Sequence, residues 1–459
     1  MRYTPHRPNE IEEMLRAIGV GSIEDLFKDI PEELRQKAEG AFDALSAPMT
    51  EKELTFYMDN LADENYDLYE VVSFMGAGVY PHYVPAVVDT IASRGEFYTA
   101  YTPYQAEASQ GSLHVSFEWQ TYIARLTGMD VANSSMYDAG SATAEAVYMA
   151  IRIHRGKRNK VVIASTLHPE IKEVLKTYLE PKGTIIEEIR YDKATGQIDT
   201  EHLGMLVDDD TIAVIVQSPN FFGVIEKERE AIEITHGKGA LYIAVVLEPL
   251  SYGLIKPAGY YGADIVVGDA IGFGNYPAFG GPGVGFLATK TKYIRQMPGR
   301  LVGETTDPEG TRGFVLTLQT REQHIRRAKA TSNITSNHFL MALRATVYMS
   351  LLGRSGFKKL AYVNYKIAHY AKDKLLEVEG VELPFTAPFF NEFVVKLPVS
   401  AQEVFNQLAS EGIYPGVPLH RFFGPAYENY LLVATTELHS KEDIDGLAAH
   451  LAEVIHNGR

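Results

Sequence analysis

Between residues 160 and 290 the chain alternates short apolar runs with amphipathic ones. KVVIAS (160–165), TIIEEIRY (184–191), TIAVIVQSPN (211–220), LYIAVVLEPL (241–250), DIVVGD (264–269) and VGFLATK (284–290) are separated by stretches such as HPEIKEVLKTYLE and EKEREAIEITHGKG. Strands apolar on both faces have no side to give to water, so they belong inside a sheet covered by helices on both faces. The helical segments between them make that sheet mainly parallel. The helix expected after Asp138 places Ala144, Val147, Tyr148 and Ile151 at i, i+3, i+4, i+7, which predicts one buried stripe.

Two further zones flank this region. Residues 1–65 are helical and charged: NEIEEMLRAIG closes on Gly19 and IPEELRQKAEG on Gly40, each a C-cap position. This zone has too little apolar content for its own core and reads as an arm lying on something else. Residues 66–335 form the large α/β part, and 336–459 a smaller α+β part entered through a long helical stretch, HFLMALRATVYMSLLG then LAYVNYKIAHYAKDKLLEV. There NEFVVKLP and YLLVATTEL read as strands, and SAQEVFNQLASEG and SKEDIDGLAAHLAEVI as helices. Ser440 and Asp443 approach a capping box at the start of the last.

Several segments carry candidate chemistry. MYDAGSATAEAVYMA (136–150) puts small residues at a helix N-terminus, which suits either a phosphate or close packing on the sheet. Asp138 opposes a phosphate there and serves equally as the N-cap. RGEFYTAYTPYQAEASQGSLHVSFEWQ (94–120) holds Tyr98, Tyr101, Tyr104, Gln105, Glu107, Gln110 and the only tryptophan, Trp119. So many hydroxyls and amides suit a loop lining a cleft or meeting another subunit better than a core, because each needs a partner once desolvated. The run 303–337 concentrates Arg312, Arg321, His324, Arg326 and Arg327, which either grip a carboxylate or form solvated helix charges. GVGFLA (283–288) imitates a dinucleotide fingerprint, but its strand follows the glycines, so it is rejected. His168 has no second ligand at metal spacing and reads as structural; no metal site is expected, and Val207 to Asp210 reads as a solvated loop end.

A net charge of -16 without a Lys/Arg block makes nucleic acid and anionic membrane poor partners. The chain has no cysteine, which excludes disulfides, thiolate metal sites and a cysteine nucleophile. No apolar stretch approaches membrane-spanning length and the N-terminus lacks an apolar leader, so a cytoplasmic protein is expected.

GEFYTAYTPYQAEASQG, LTGMDVANSSMYD, FGGPGVGFLATK and GFVLTLQTREQHIRRAKATSNI closely resemble the P-protein family of the glycine cleavage system, glycine dehydrogenase (decarboxylating). The resemblance spans the whole chain and lies with subunit 1, the alpha chain, of the split two-subunit form. It implies a fold-type-I pyridoxal-phosphate (PLP) transferase-like architecture: a mostly parallel seven-stranded sheet with helices on both faces, plus a small C-terminal α+β domain. It implies an enzyme in which glycine loses its carboxyl group as CO2 and the aminomethyl group passes to the lipoyl group of the H-protein.

Laid on the family pattern, Ile271 and Gly272 stand where the coenzyme-bearing chain has His-Lys, and Val245 stands near its aspartate. No lysine occurs between Pro257 and Thr289, and no aspartate between Thr211 and Ala263. Lys256 and Lys290 are more than ten residues from the expected strand end. PLP needs a lysine amine for its resting iminium and a carboxylate at its ring nitrogen. The implied picture is therefore a chain without a covalent catalytic residue, with PLP on the partner, a beta chain, in an α2β2 assembly. Tyr98, Tyr101, Tyr104, Gln105, Gln110, Arg321 and His324 are the residues expected to face that partner's site. A self-sufficient PLP enzyme (a desulfurase or aminotransferase) and a purely structural subunit are the alternatives.

Overall fold

The computed structural model describes residues 6–38, 40–41, 46–68, 70–279, 281–334 and 338–457. They divide into two compact units, Met1–Asp67 and Leu68–Arg459. The first holds α1 (Pro8–Ile18), α2 (Glu32–Ala38) and α3 (Glu51–Ala62), and none of these helices has a buried residue. Gly19 ends α1 in the left-handed conformation with φ 83°. Gly40 also has positive φ, 79°, while Glu39 before it lies outside the described residues. Thr50 and Glu53 cap α3 reciprocally.

The second unit is built on seven strands: β1 (Val131–Ala132), β2 (Lys160–Ala164), β3 (Ile185–Ile189), β4 (Thr211–Gln217), β5 (Leu241–Val246), β6 (Ile265–Asp269) and β7 (Gly285–Thr289). Their order in the sheet is β1-β7-β6-β5-β4-β2-β3. All neighbours are parallel except β7, which is antiparallel to both β6 and β1. The expected parallel sheet is therefore present, with one reversed strand.

Every residue of β4 and of β5 is buried. Because side chains alternate along a strand, Val214, Val216, Tyr242 and Ala244 enter one core layer, where Trp119 and Ile123 of α4 (Gln110–Thr127) meet them. Ala213, Ile215, Ile243 and Val245 enter the other, under α5 (Ala139–Ile153) and α6 (Pro169–Leu179). The expected stripe on α5 is too narrow. Ala142, Ala146, Met149 and Ala150 are buried as well, while Tyr148 and Ile151 are only half-buried, because α5 is enclosed on more than one side.

A β-hairpin, β8 (Leu301–Thr306) with β9 (Arg312–Thr317), occupies the start of the arginine-rich run, so its charges stand on a hairpin and short turns rather than on a long helix. α7 (Phe339–Leu376) is broken at Gly353, whose φ 56° and ψ -177° are not helical. Beyond it, β10 (Glu392–Lys396), β11 (Val417–Pro418) and β12 (Tyr430–Ala434) form an antiparallel sheet in the order β10-β12-β11. α8 (Ala401–Ala409) and α9 (Lys441–Asn457) pack on it, and Ser440 and Asp443 make the reciprocal cap at the start of α9.

Gly223, in the loop after β4, joins the two sheets. Its φ is +78°, and a Cβ there would sit 1.9 Å from the carbonyl oxygen of Glu392 in β10. Both the left-handed backbone and the lack of room exclude a side chain. Gly223→Ala should therefore lower unfolding stability by more than about 1 kcal/mol, read from the urea midpoint.

Candidate functional site

Where parallel strands end, their loops and the following helix N-termini leave a crevice. Here it is a cavity of ≈ 400 Å³, lined by Asp138 at the start of α5, His168 and Glu170 at the start of α6, Leu247 after β5, and Asp269 and Ile271 at the end of β6. The segment Ala77–Val79, together with Pro277, Ala278, Phe279, Gly281 and Gly283, closes its sides.

Asp138, Asp269 and His168 of this cavity are already hydrogen-bonded within the chain. Asp138 Oδ1 accepts the amide of Ser141 at 2.7 Å, so the N-cap occupies the helix end where an anion would bind. Asp269 Oδ1 accepts amides from Ile271 and Val284 at 2.9 and 3.2 Å. Burial pushes its carboxyl up to about 6 against those bonds, and the nearby Asp138 adds to the rise. His168 is held on both ring nitrogens: Nε2 donates to the Ala77 carbonyl at 2.9 Å and Nδ1 accepts the Glu170 amide at 3.2 Å. Burial holds its pKa below the usual imidazole value, so it is neutral near pH 7.

PLP does not fit these residues. Ile271 stands in the wall, and Gly272 is pressed so closely on His82 that a Cβ would lie 2.8 Å from that ring. Val245 is one pleat inside β5, paired with Gln217 and Val267, and the residue that reaches the cavity from that strand end is Leu247. Lys290 is turned away, donating to Gly262 O at 2.6 Å and pairing with Asp264 at 2.9 Å. Lys256 lies over the rings of Tyr260 and Tyr261. The described lining thus offers three carboxylates and a neutral imidazole, and no cation to hold a dianionic phosphate.

Beside the cavity lies a buried ion cluster. His82 Nδ1 is 2.8 Å from Glu437 Oε2 and its Nε2 3.1 Å from Glu248 Oε2, with the imidazole 1 % exposed. Burial alone would neutralise the ring, but the two carboxylates outweigh it and raise its pKa to about 10. Burial likewise opposes charge on Glu437, but bonds from His82, the Tyr83 amide and Asn364 hold that carboxyl at about 2. Next to it Glu392 accepts the Ala77 amide and the Tyr80 hydroxyl at 2.7 and 2.8 Å, and burial raises its carboxyl to about 7. Sequence reasoning missed these residues. The available signal was Glu248 itself, a carboxylate abutting a strand with no polar face, which requires a buried partner.

The expected site residues separate into two groups. Tyr98, Tyr101 and Tyr104 are 67, 86 and 53 % exposed, and Gln105 is exposed too. Tyr104 contacts the ring of His324 edge-on at 5.7 Å and accepts a bond from Arg300 Nη2 at 3.2 Å. Gln110 instead exchanges two 2.9 Å bonds with the backbone of Phe314, binding α4 to the hairpin. Arg321 is buried and donates to the carbonyls of Met297, Gly299 and Leu318. Trp119 is fully buried core.

The model of the glycine cleavage system P-protein family matches residues 1–451. The chain is 48% identical to a probable glycine dehydrogenase (decarboxylating) subunit 1 of Desulfitobacterium hafniense, over 99% of this chain and 100% of that one. It is 50% identical to the protein of the same description from Carboxydothermus hydrogenoformans, over 97% and 98%. Among solved structures it resembles a glycine decarboxylase (P-protein) of the glycine cleavage system in inhibitor-bound form, with TM-score 0.88, 44% identity, and 99% and 100% of the chains covered. A NifS-like protein shares the fold at TM-score 0.63 and 15% identity. Among the described residues no helix is long and apolar enough to cross a membrane.

The ion cluster gives a signed pH dependence. The raised pKa of His82 contributes stability that is complete below its unfolded value of 6.5 and lost as pH rises through about 10. His82→Gln leaves Glu248 and Glu437 facing each other uncompensated and should cost about 3–5 kcal/mol near pH 6. Measured by urea unfolding, the gap between wild type and variant should shrink steadily from pH 6.5 to 10.

Proposed function

Because the chain belongs to the glycine cleavage system P-protein family, we propose that it serves as subunit 1 of a two-chain glycine dehydrogenase (decarboxylating). Its partner, subunit 2, carries the PLP. The pair decarboxylates glycine and delivers the aminomethyl group to the lipoyl group of the H-protein, in an α2β2 assembly in the cytoplasm. The observation that supports this division is the cavity itself. It stands at the strand ends where this fold binds its coenzyme, yet it holds three carboxylates, a neutral histidine and no amine.

What this chain contributes is surface. The exposed tyrosines 98, 101 and 104, with Gln105 and His324, border the partner's site, exclude water from it and hold polar groups toward the substrate. Gln110 and Arg321 act indirectly, by fixing the hairpin and the turn that follow them. The residues 66–335 and 336–459 correspond to the large and small parts of such a subunit, and 1–65 to its arm.

Two measurements test the reading. This chain alone, incubated with PLP and borohydride, should yield no phosphopyridoxyl-lysine, and glycine–bicarbonate exchange should require both chains. A yellow, self-sufficient chain would overturn the proposal. Tyr98→Phe and Tyr101→Phe should each lower turnover of the assembled pair about five- to tenfold, the equivalent of one lost hydrogen bond. The thermal midpoint should stay unchanged, because both side chains are exposed in this chain.

A further inference from the structure

The segment 100–102 forms one wall of a second cavity, of ≈ 280 Å³. The start of α7, Phe339 to Met341, forms another wall, with Pro282 and His338 alongside. The lining is mostly apolar and includes one guanidinium, that of Arg300.

Arg300 is 6 % exposed, yet among the described residues it is poorly matched. Nη2 donates to the Tyr104 hydroxyl at 3.2 Å, and the guanidinium carbon lies 5.5 Å from the centre of that ring. Its nearest carboxylate, Glu322, stands 3.6 Å from Nε, beyond hydrogen-bond reach. Among the described residues, neither Arg300 Nε nor Glu322 Oε1, both buried, has a hydrogen-bond partner. A guanidinium carries five donors in a planar fork, and burying it with one bond made leaves a standing demand for an acceptor. His338 is anchored through Nδ1 to the Gly283 carbonyl at 2.6 Å, which leaves its Nε2 as the ring's other polar atom.

We propose that this cavity is an oxyanion site, in which Arg300 receives a carboxylate or a phosphate monoester through its free donors. Two oxygens of a carboxylate or of a phosphate match the planar fork, and the apolar walls make the interaction stronger than it would be in water. The volume admits a group of a few heavy atoms. The site rests on the functional reading above, because it shares Tyr101 and Tyr104 with the surface assigned to the partner. Two sources supply such a group there: the carboxylate of glycine and the phosphate of the partner's coenzyme.

The test compares the assembled pair carrying wild-type chain, Arg300→Met or Arg300→Lys. Glycine KM, kcat and the coenzyme Kd are measured for each, with the thermal midpoint as control. Arg300→Met should raise either glycine KM or coenzyme Kd about ten- to hundredfold, the loss expected for a charged hydrogen bond. Arg300→Lys, which keeps the charge but not the fork, should fall between. A rise in KM alone identifies the carboxylate, and a rise in Kd alone the phosphate. An assembled Arg300→Met pair with both constants unchanged, or with only a lowered midpoint, overturns the site. Should Arg300→Met fail to fold, unchanged constants for Arg300→Lys overturn it equally. If the wild-type pair lacks exchange activity, the functional reading has failed. The site is then judged on this chain alone, where acetate or inorganic phosphate must raise the wild-type midpoint saturably, and by a smaller shift in Arg300→Lys.

Discussion

Two adjacent strands with no polar face set the terms for this molecule. β4 and β5 are buried on both sides, so helices must cover both faces, and a polar group placed along the strands is costly unless it finds a partner. Polar chemistry is displaced to the strand ends, where loops and helix N-termini supply unpaired amides. Asp138, His168, Leu247 and Asp269 all stand there. The same pressure accounts for α5, a helix enclosed closely enough that five of its fifteen residues are alanine.

Charge at that edge is governed by a contest between burial and pairing. Desolvation prevails at Asp269 and Glu392, whose carboxyls are raised to about 6 and about 7. Pairing prevails at His82 and Glu437, where two carboxylates surround one imidazole. The winning interaction fastens residues 80–83 to Glu248 behind β5 and to Glu437 after β12, so it ties the central sheet to the small one. Gly272, packed against the same ring, is part of that fastening.

Much of this was legible in one dimension because the signals are local. The strand runs, the glycine that ends α1, the Asp138 cap and the Ser440–Asp443 pair each involve residues within a few positions of one another. What escaped is what folding brings together over distance. Gln110 reads as a polar loop residue until its bonds to Phe314, 204 positions away, are seen. Arg321 looks like a free cation in an arginine-rich run, yet its partners are backbone carbonyls, which no pattern of side chains reveals. Arg300 lies outside the cluster of arginines that drew attention, and its neighbour Tyr104 is 196 positions earlier. The hairpin β8–β9 was hidden for a related reason: its alternation is diluted by exposed charged and polar residues such as Glu304 and Arg312, which pair with each other across the strands.

The carboxylate of Asp138 over the first turn of α5 has a consequence for descent. A lysine introduced at 272 would meet a crevice whose helix end is still occupied by that carboxylate, and which still has leucine at position 247. On the division of labour proposed above, one substitution does not free the chain from a second gene product, and the two must be inherited together.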